Sequence, residues 1–251
     1  MPLDPRRSRL TDAWWGVHVA RYVFASEQLV RGCDVLDIAC GAGYGTALLA
    51  VAGHRVVGVD IDLRTVIGAR RSTGACFAAG SGEALPMASS SVDAVTSFET
   101  IEHLRHPDAF VAELARVIKP GGRLLLSTPN ALQSLPGPDG PSNPFHLQEY
   151  TPDELGALLS SHFRSVALLG QERSPRFRVS PFHVDQQRLP KRPVAQARLL
   201  GWKLLNRVPA ELRSIVLNRL LGRDFLPGEH DYEFRADLVD VAPVVVAVAE
   251  R

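Results

Sequence analysis

The stretch VLDIACGAGYG, residues 35–45, joins an apolar run to a glycine-rich turn. The apolar run predicts a buried β-strand, and the pattern of residues 44–52 predicts a helix directly after the turn. Glycines at such a turn let the backbone approach a ligand closely. The stretch therefore predicts a strand–turn–helix unit that binds a ligand at the carboxyl end of its strand.

Apolar segments alternate with helical patterns on either side of this unit. They predict strands at 33–39, 54–61, 76–80, 91–99 and 122–130. Such alternation with short loops is typical of a parallel sheet covered by helices on both faces. An edge strand is predicted over 163–171, and the apolar segment 242–250 is expected to insert beside it. We expect an α/β fold, with a Rossmann-like, doubly wound, seven-stranded and mostly parallel sheet and a helical insertion before the last strand.

A length of 251 residues fits one large domain. We predict a single domain over 1–251, with four parts: an N-terminal helical lid (1–31), a core (32–172), an Arg-rich helical insertion (173–237) and the last strand (238–251).

The composition is that of a folded globular protein, with 45% apolar residues and a formal charge of +1. No apolar run reaches the roughly 20 residues that span a bilayer, and the N-terminus lacks the apolar segment of a signal peptide. These features predict a cytoplasmic protein. The three cysteines have no CxxC spacing, which argues against a disulfide framework or a zinc site.

The charges are unevenly distributed along the chain. Residues 173–223 hold twelve basic and two acidic residues, a net of +10, so the rest of the chain carries −9. This basic segment has amphipathic patterns over 193–208 and 209–221. Three interpretations of this segment stay open. It is a lid packed on the core, a binding surface for an anionic acceptor substrate, or a peripheral contact with an anionic membrane. It has few aromatic residues, which makes a nucleic acid the less favoured partner.

A carboxylate follows the second predicted strand. Asp60 lies 19 residues after Gly41, where an acidic side chain can bind both hydroxyls of a ribose. The segment GSGEALP, residues 80–86, follows the third predicted strand. Together with the glycine-rich turn, these residues predict a nucleoside-containing ligand.

At this point the chain resembles the class I S-adenosylmethionine (SAM)-dependent methyltransferases, over about residues 15–170 plus the last strand. The segments that carry the resemblance are VLDIACGAGYG, VVGVDID, GSGEALPMASSSVDAVTSFETIEHL and ARVIKPGGRLLLSTPN. Two positions depart from the family pattern. Ala39 stands where the first glycine usually lies, and Ser81 replaces a frequent Asp, which weakens an expected contact with adenine.

The resemblance implies a SAM site with a role for each matching residue. Asp37, Gly41 and Gly43 would hold the methionine end, Asp60 the ribose, Ile61 one face of the adenine, and Ser81 and Gly82 its edge. Phe98 would line the pocket. Tyr22 lies in HVARYVFA, residues 18–25, which is similar to the helix that closes over SAM; it would either contact the cofactor or pack on the sheet.

The residues after the fourth predicted strand suggest an acceptor site. If a helix begins near Glu99, Glu99, Glu102 and His103 share one face. His146 follows in a loop expected over the same edge. Two carboxylates and two imidazoles can hold Mg²⁺ or Mn²⁺ and leave two positions for a vicinal diol. Alternatively, His103 or His146 acts as a general base without metal, with Glu149 orienting His146, or these residues are structural.

This pattern resembles the metal-dependent 2′-O-methyltransferases of small-RNA 3′ ends and the ubiquinone-pathway O-methyltransferases. The Asn/Asp-Pro-Pro-Tyr/Phe signature of amine methylation is absent after the fourth strand. The stretch NPFHLQEY, residues 143–150, is similar to that of bacterial methyltransferases of saccharides and specialised metabolites. We therefore predict O-methylation of a sugar, glycan or specialised metabolite. The alternatives are 2′-O-methylation of RNA 3′ ends and a non-catalytic, SAM-binding partner subunit.

Overall fold

The computed structural model describes residues 15–134, 140–141, 143–174, 212 and 228–251. These residues fall into two compact units. The first contains 21–134, 140–141, 143–172 and 233–251, and the second contains 15–20, 173–174, 212 and 228–232. The predicted helices at 193–208 and 209–221, and most of the basic segment, lie outside the described residues.

The described residues form eight strands and six helices. The strands are β1 Asp34–Ile38, β2 Arg55–Asp60, β3 Cys76–Ala79, β4 Val92–Phe98, β5 Ile118–Pro129, β6 Ser165–Arg173, β7 Tyr232–Arg235 and β8 Val244–Glu250. The helices are α1 Trp15–Gln28, α2 Tyr44–Val51, α3 Leu63–Thr73, α4 Pro107–Val117, α5 Ala131–Ser134 and α6 Pro152–Ser160. Short 3₁₀ turns cover Ile101–His103 and Ala236–Leu238.

The strands form one sheet in the order β3-β2-β1-β4-β5-β8-β6-β7. The first five strands along the chain pair in parallel, while β8 runs antiparallel between β5 and β6. The Rossmann-like fold and the insertion of the last strand are therefore confirmed. The predicted count of seven strands was wrong by one. Because β7 adds an eighth strand beyond β6, the segment predicted as an edge strand is internal.

Neighbouring residues of one strand pack on opposite faces of this sheet. Leu36 belongs to a core cluster with Phe110 and Leu114 of α4, while the preceding residue, Val35, packs in a second cluster with Leu49 of α2. Side chains alternate across a strand with period two, so continuous apolar runs bury both faces. This explains why the central strands are apolar throughout.

The carboxyl edge of the sheet is defined here as the edge at which β1 to β5 end. The segments that follow these strands begin at residues 39, 61, 80, 99 and 130, and all the predicted ligand-binding stretches meet there. The helix predicted over residues 18–25 lies within α1. Among the described residues, no helix combines the length and the apolar character that crossing a bilayer requires.

Candidate functional site

The glycine-rich turn after β1 has a left-handed backbone at three positions. Gly41 and Gly43 have φ of +52° and +78°, and Ala39 has φ of +55°. A Cβ on Gly43 would lie 2.5 Å from the ring of Phe77, whereas a Cβ on Gly41 would meet open space. Gly43 is therefore required by packing, and Gly41 leaves its backbone accessible to a ligand.

Asp37 lies fully buried beneath this turn. Its carboxylate accepts hydrogen bonds from the hydroxyls of Tyr22 (3.2 Å), Thr46 (2.7 Å) and Thr96 (2.9 Å). Burial raises the pKa of Asp37 to about 6, although the three hydroxyl donors oppose the shift. With these contacts, Asp37 fixes the turn from below and joins it to α1, α2 and β4.

Tyr22 of α1 covers the turn. Its ring makes edge-to-face contacts with Tyr44 and Phe98, with centroid distances of 5.6 Å and 4.9 Å. A Cβ on Gly45 would lie 1.9 Å from a carbon of the Tyr22 ring. The glycine at position 45 thus allows α1 to lie directly on the turn.

The predicted ribose and adenine contacts lie along β2 and β3. Asp60 accepts the backbone N–H of Gly41 (2.9 Å) and of Asp62 (3.0 Å), which fixes its carboxylate beside the turn. Ile61 is 77% exposed, so one apolar face is available to a ligand. The hydroxyl of Ser81 accepts the N–H of Glu83 at 3.2 Å.

Gly82, the last residue of this predicted set, allows α4 to pack against the loop. A Cβ on Gly82 would lie 2.7 Å from the ring of Phe110. A side chain at position 82 would therefore displace the core residue Phe110.

Three of the four predicted metal ligands come together at the carboxyl edge. One ligand atom from each of Glu102, His103 and His146 lies within 4.8 Å of the others. Glu102 is completely buried. Its Oε2 accepts the Thr128 hydroxyl at 3.0 Å, and its Oε1 has no hydrogen-bond donor among the described residues. Burial, with a contribution from Glu99, raises the pKa of Glu102 to about 8.

The protonation of His103 follows from its partner. Its Nδ1 lies 2.8 Å from the carbonyl oxygen of Phe145. A carbonyl oxygen only accepts hydrogen bonds, so Nδ1 carries the proton and Nε2 of the neutral ring has a free lone pair. Nε2 lies 4.0 Å from Oε1 of Glu102. His103 is thus fixed as a proton acceptor that faces a carboxyl group.

Both nitrogens of His146 are already engaged. Nδ1 lies 2.7 Å from Oε1 of Glu149, and Nε2 lies 2.8 Å from the side-chain nitrogen of Asn143. Asn143 also accepts the N–H of Phe145 at 3.1 Å through its Oδ1, which places its NH₂ group toward His146. The hydroxyl of Ser134 donates to the second oxygen of Glu149. These contacts hold the loop that carries the Phe145 carbonyl.

Glu99 is not part of this group, and the helix expected to begin at Glu99 is wrong. Its φ is +53°, and a 3₁₀ turn starts only at Ile101, so the predicted shared helical face does not form. Its Oε1 instead pairs with Arg21 (2.9 Å) and accepts the hydroxyl of Ser127 (2.9 Å). Glu99 is therefore held by a cation of the protein itself.

The pairing of Glu99 with Arg21 was not predicted from the sequence. Arg21 is almost fully buried and also donates from Nε to the side-chain oxygen of Gln171 at 2.7 Å. An arginine in the otherwise apolar stretch 18–25 was a usable signal, because a buried arginine needs a paired acceptor. Asn143 and Ser134 gave no signal, since both lie in a stretch predicted as loop.

Comparison with known proteins agrees with this fold. Residues 36–126 match the sequence profile of a family described as a methyltransferase domain. A relative in Mycolicibacterium smegmatis, named as a probable S-adenosylmethionine-dependent methyltransferase, is 44% identical over 152 residues, which cover 59% of this chain and 58% of the relative. A ubiquinone biosynthesis O-methyltransferase of Xanthomonas oryzae pv. oryzae is 31% identical over 138 residues, covering 48% of this chain and 58% of that protein.

A solved structure extends the likeness over nearly the whole chain. A structure from Thermotoga maritima, described as a SAM-dependent methyltransferase and possible histamine N-methyltransferase, superposes with a TM-score of 0.59 and 15% identity, covering 94% of this chain and 92% of its own. At that identity the match shows the fold alone. The fold of the described residues is the Rossmann-like fold of the SAM-dependent methyltransferases, and the chain spans less than two thirds of the length of the curated relatives that it matches.

Proposed function

We propose that this chain transfers a methyl group from SAM to a hydroxyl group of a sugar, glycan or specialised metabolite. The match of residues 36–126 to a methyltransferase domain and the names of the relatives support SAM as the donor. The relative named as an O-methyltransferase supports oxygen as the acceptor atom. The absence of the amine-methylating signature after β4 points the same way.

The residues of the turn fit SAM. Asp60 presents a fixed carboxylate to a ribose diol, and Gly41 leaves room for a close approach to its backbone. Ile61 offers its exposed face to the adenine. When bound, SAM supplies an electrophilic methyl group on a sulfonium. The chain has only to orient an acceptor and remove its proton.

The observation that carries the proposal is the free Nε2 of His103. With Nδ1 donating to the Phe145 carbonyl, Nε2 is the nitrogen that can take a proton from an acceptor hydroxyl. The nearby Oε1 of Glu102 can stabilise the imidazolium that forms. His146 acts through the loop: it is a positioning residue, because both of its nitrogens bind side chains of the same loop.

The test is the variant His103→Asn. The Asn amide preserves a donor toward the Phe145 carbonyl but has no basic nitrogen. We expect turnover with labelled SAM, measured on a panel of saccharides and phenols, to fall about 10²–10⁴-fold. The affinity for SAM should be unchanged, because His103 lies in none of the SAM contacts proposed above.

The control is His162→Gln, which removes an imidazole paired with Asp108 near the start of β6, at the opposite edge of the sheet. It should leave turnover unchanged. Unaltered turnover in His103→Asn would exclude His103 as the base. Any measurable transfer by the wild-type chain would dismiss the alternative of a non-catalytic partner subunit.

The second candidate is a metal-assisted mechanism for the same reaction. The clustering of Glu102, His103 and His146 favours it. Glu102 and His103 fit a divalent ion, since each has one free ligand atom. His146 fits only if it gives up the Asn143 contact, and Glu99 is paired with Arg21. A bound ion would lower the pKa of the acceptor hydroxyl.

Calorimetric titration of the EDTA-treated protein with Mn²⁺ separates the two mechanisms. The metal-assisted mechanism would be established by two results together. Mn²⁺ binding is lost in Glu102→Gln, and Mn²⁺ or Mg²⁺ restores the activity of the EDTA-treated wild type. Activity that is insensitive to EDTA, with no heat of Mn²⁺ binding, would leave His103 as the base.

A further inference from the structure

The loop that carries the candidate acceptor site has two chemically different sides. Asn143, His146 and Glu149 bind one another, while Phe145 and Leu147 between them are 77% and 53% exposed. Large apolar side chains are therefore directed to solvent from the same short segment that orients the imidazoles.

The backbone of the loop is held at several atoms. The N–H of Phe145 is held by Asn143 and its carbonyl by His103, and the N–H of Leu147 donates to the Glu102 carbonyl at 2.8 Å. These contacts fix the backbone from which the exposed side chains of Phe145 and Leu147 extend.

Two more exposed apolar residues lie at this edge. Leu132 is 42% exposed on α5, where the N–H of Ala131 donates to the Tyr150 carbonyl at 2.9 Å. Val241 is 59% exposed in the segment that α5 contacts, because the side chain of Gln133 donates to the Asp240 carbonyl at 2.8 Å.

We name the set Phe145, Leu147, Leu132 and Val241 the apolar rim. Apolar patches on a protein surface mark sites of ligand or partner contact.

The chemistry of the loop narrows the ligand. Residues 140–148 contain no Asp, Glu, Lys or Arg, so this segment offers no charge to an anionic surface or to a charged protein partner. Within the rim, Phe145 is bonded to His103 through its backbone carbonyl. A ligand that places a hydroxyl on Nε2 of His103 and extends along the exposed side of this loop would contact Phe145 and Leu147.

We propose that the acceptor is an amphiphile: a hydroxylated head group that reaches His103, attached to an aliphatic chain that rests on the apolar rim. This inference depends on the proposed methyl transfer for the place of the hydroxyl, but the binding of the chain to the rim can be measured without catalysis.

The experiment titrates glucose and the monomeric n-alkyl glucosides from hexyl to octyl into the full chain by calorimetry, with S-adenosylhomocysteine present. We expect glucose to bind weakly and each added methylene to tighten binding by up to about fourfold, the value for full burial of a CH₂ group. The double variant Phe145→Ser/Leu147→Ser should abolish the dependence on chain length.

The matched control is Val51→Ser, at an 87% exposed apolar residue of α2 outside the rim. This variant should retain the dependence of affinity on chain length. Circular dichroism and SAM affinity show whether each variant is folded.

The possible results separate this inference from the proposed function. Two results overturn the amphiphile proposal. In one, the affinity for the glucosides does not depend on the length of the alkyl chain. In the other, the double variant and Val51→Ser change this dependence equally. Binding of the wild-type chain to phosphatidylcholine vesicles but not to monomeric glucosides would make the rim a membrane contact and also overturns it. Chain-length-dependent binding without methyl transfer to any hydroxyl acceptor would refute the proposed reaction and keep the rim as an amphiphile site.

Discussion

Replacing Ala39 with glycine should stabilise this protein, although glycine usually weakens a fold. Ala39 follows β1 with φ of +55°, a left-handed conformation, and its side chain is exposed. A methyl group there has no packing to lose. The substitution therefore isolates the backbone conformation from every other contribution to the free energy of unfolding.

The magnitude follows from two opposing effects. The left-handed conformation costs an L-residue about 1–2 kcal/mol, a penalty that glycine does not have. Glycine in turn loses more conformational freedom on folding, which costs roughly 0.5–1 kcal/mol relative to alanine. We expect Ala39→Gly to raise the free energy of unfolding by about 0.5–1 kcal/mol. For a chain of this length, the thermal midpoint would rise by about 2–4 °C per kcal/mol.

The assay is urea unfolding followed by circular dichroism, with Ala50→Gly as the matched control. Ala50 is an exposed residue of α2, so the same chemical change should there lower the free energy of unfolding by about 1 kcal/mol. Opposite signs for the two variants confirm the reasoning. A loss of stability in Ala39→Gly equal to that in Ala50→Gly would refute it.

Three further predictions concern packing and pH. Gly45→Ala should destabilise the fold by about 1–3 kcal/mol and weaken SAM binding, because its Cβ would overlap the Tyr22 ring. The control is Gly68→Ala, whose Cβ meets nothing within 4 Å and which should be stabilising in the same unfolding assay. Burial lowers the pKa of His54, so its native state prefers the neutral ring, and the stability of the wild type relative to His54→Gln should decline as pH falls below about 6.5. Asp37 has a pKa raised to about 6, so its folded state prefers the protonated form. Stability relative to Asp37→Asn should therefore be highest below pH 4 and decline, by at most about 3 kcal/mol, as pH rises to 6.

The sheet could be predicted from the sequence because its pattern is local. Each central strand is an apolar run that ends in a turn, and the turn after β1 places glycines at two of its three left-handed positions. The eighth strand could not be predicted in this way. β7 is only four residues long, and its place beside β6 depends on chain segments that are far apart in sequence.

The acceptor site was predicted in its residues but not in its geometry. Spacing alone placed Glu99, Glu102 and His103 on one helical face. This prediction failed because spacing carries no information about a left-handed φ at Glu99. The partner that holds Glu99 is Arg21, which also contacts Ser127 and, 150 residues away, Gln171. No local pattern can connect such residues.

The same contacts favour His103 over His146 as the base of the proposed reaction. The sequence left His103 and His146 equivalent, because the protonated nitrogen of an imidazole depends on the groups that face it. The Phe145 carbonyl frees Nε2 of His103, whereas Asn143 and Glu149 engage both nitrogens of His146. Part of the distinction rests on a backbone carbonyl, which no residue type encodes.

The position of Arg21 also bears on the choice between metal and base. A divalent ion is most strongly favoured where several carboxylates lie together without a counter-ion. Here the Arg21 guanidinium neutralises Glu99, and burial raises the pKa of Glu102. The protein has thus already supplied a cation to one of the two carboxyl groups that were expected to bind the metal, and burial disfavours the charged form of the other. This arrangement favours the proposed proton transfer to His103 over the proposed metal-assisted reaction.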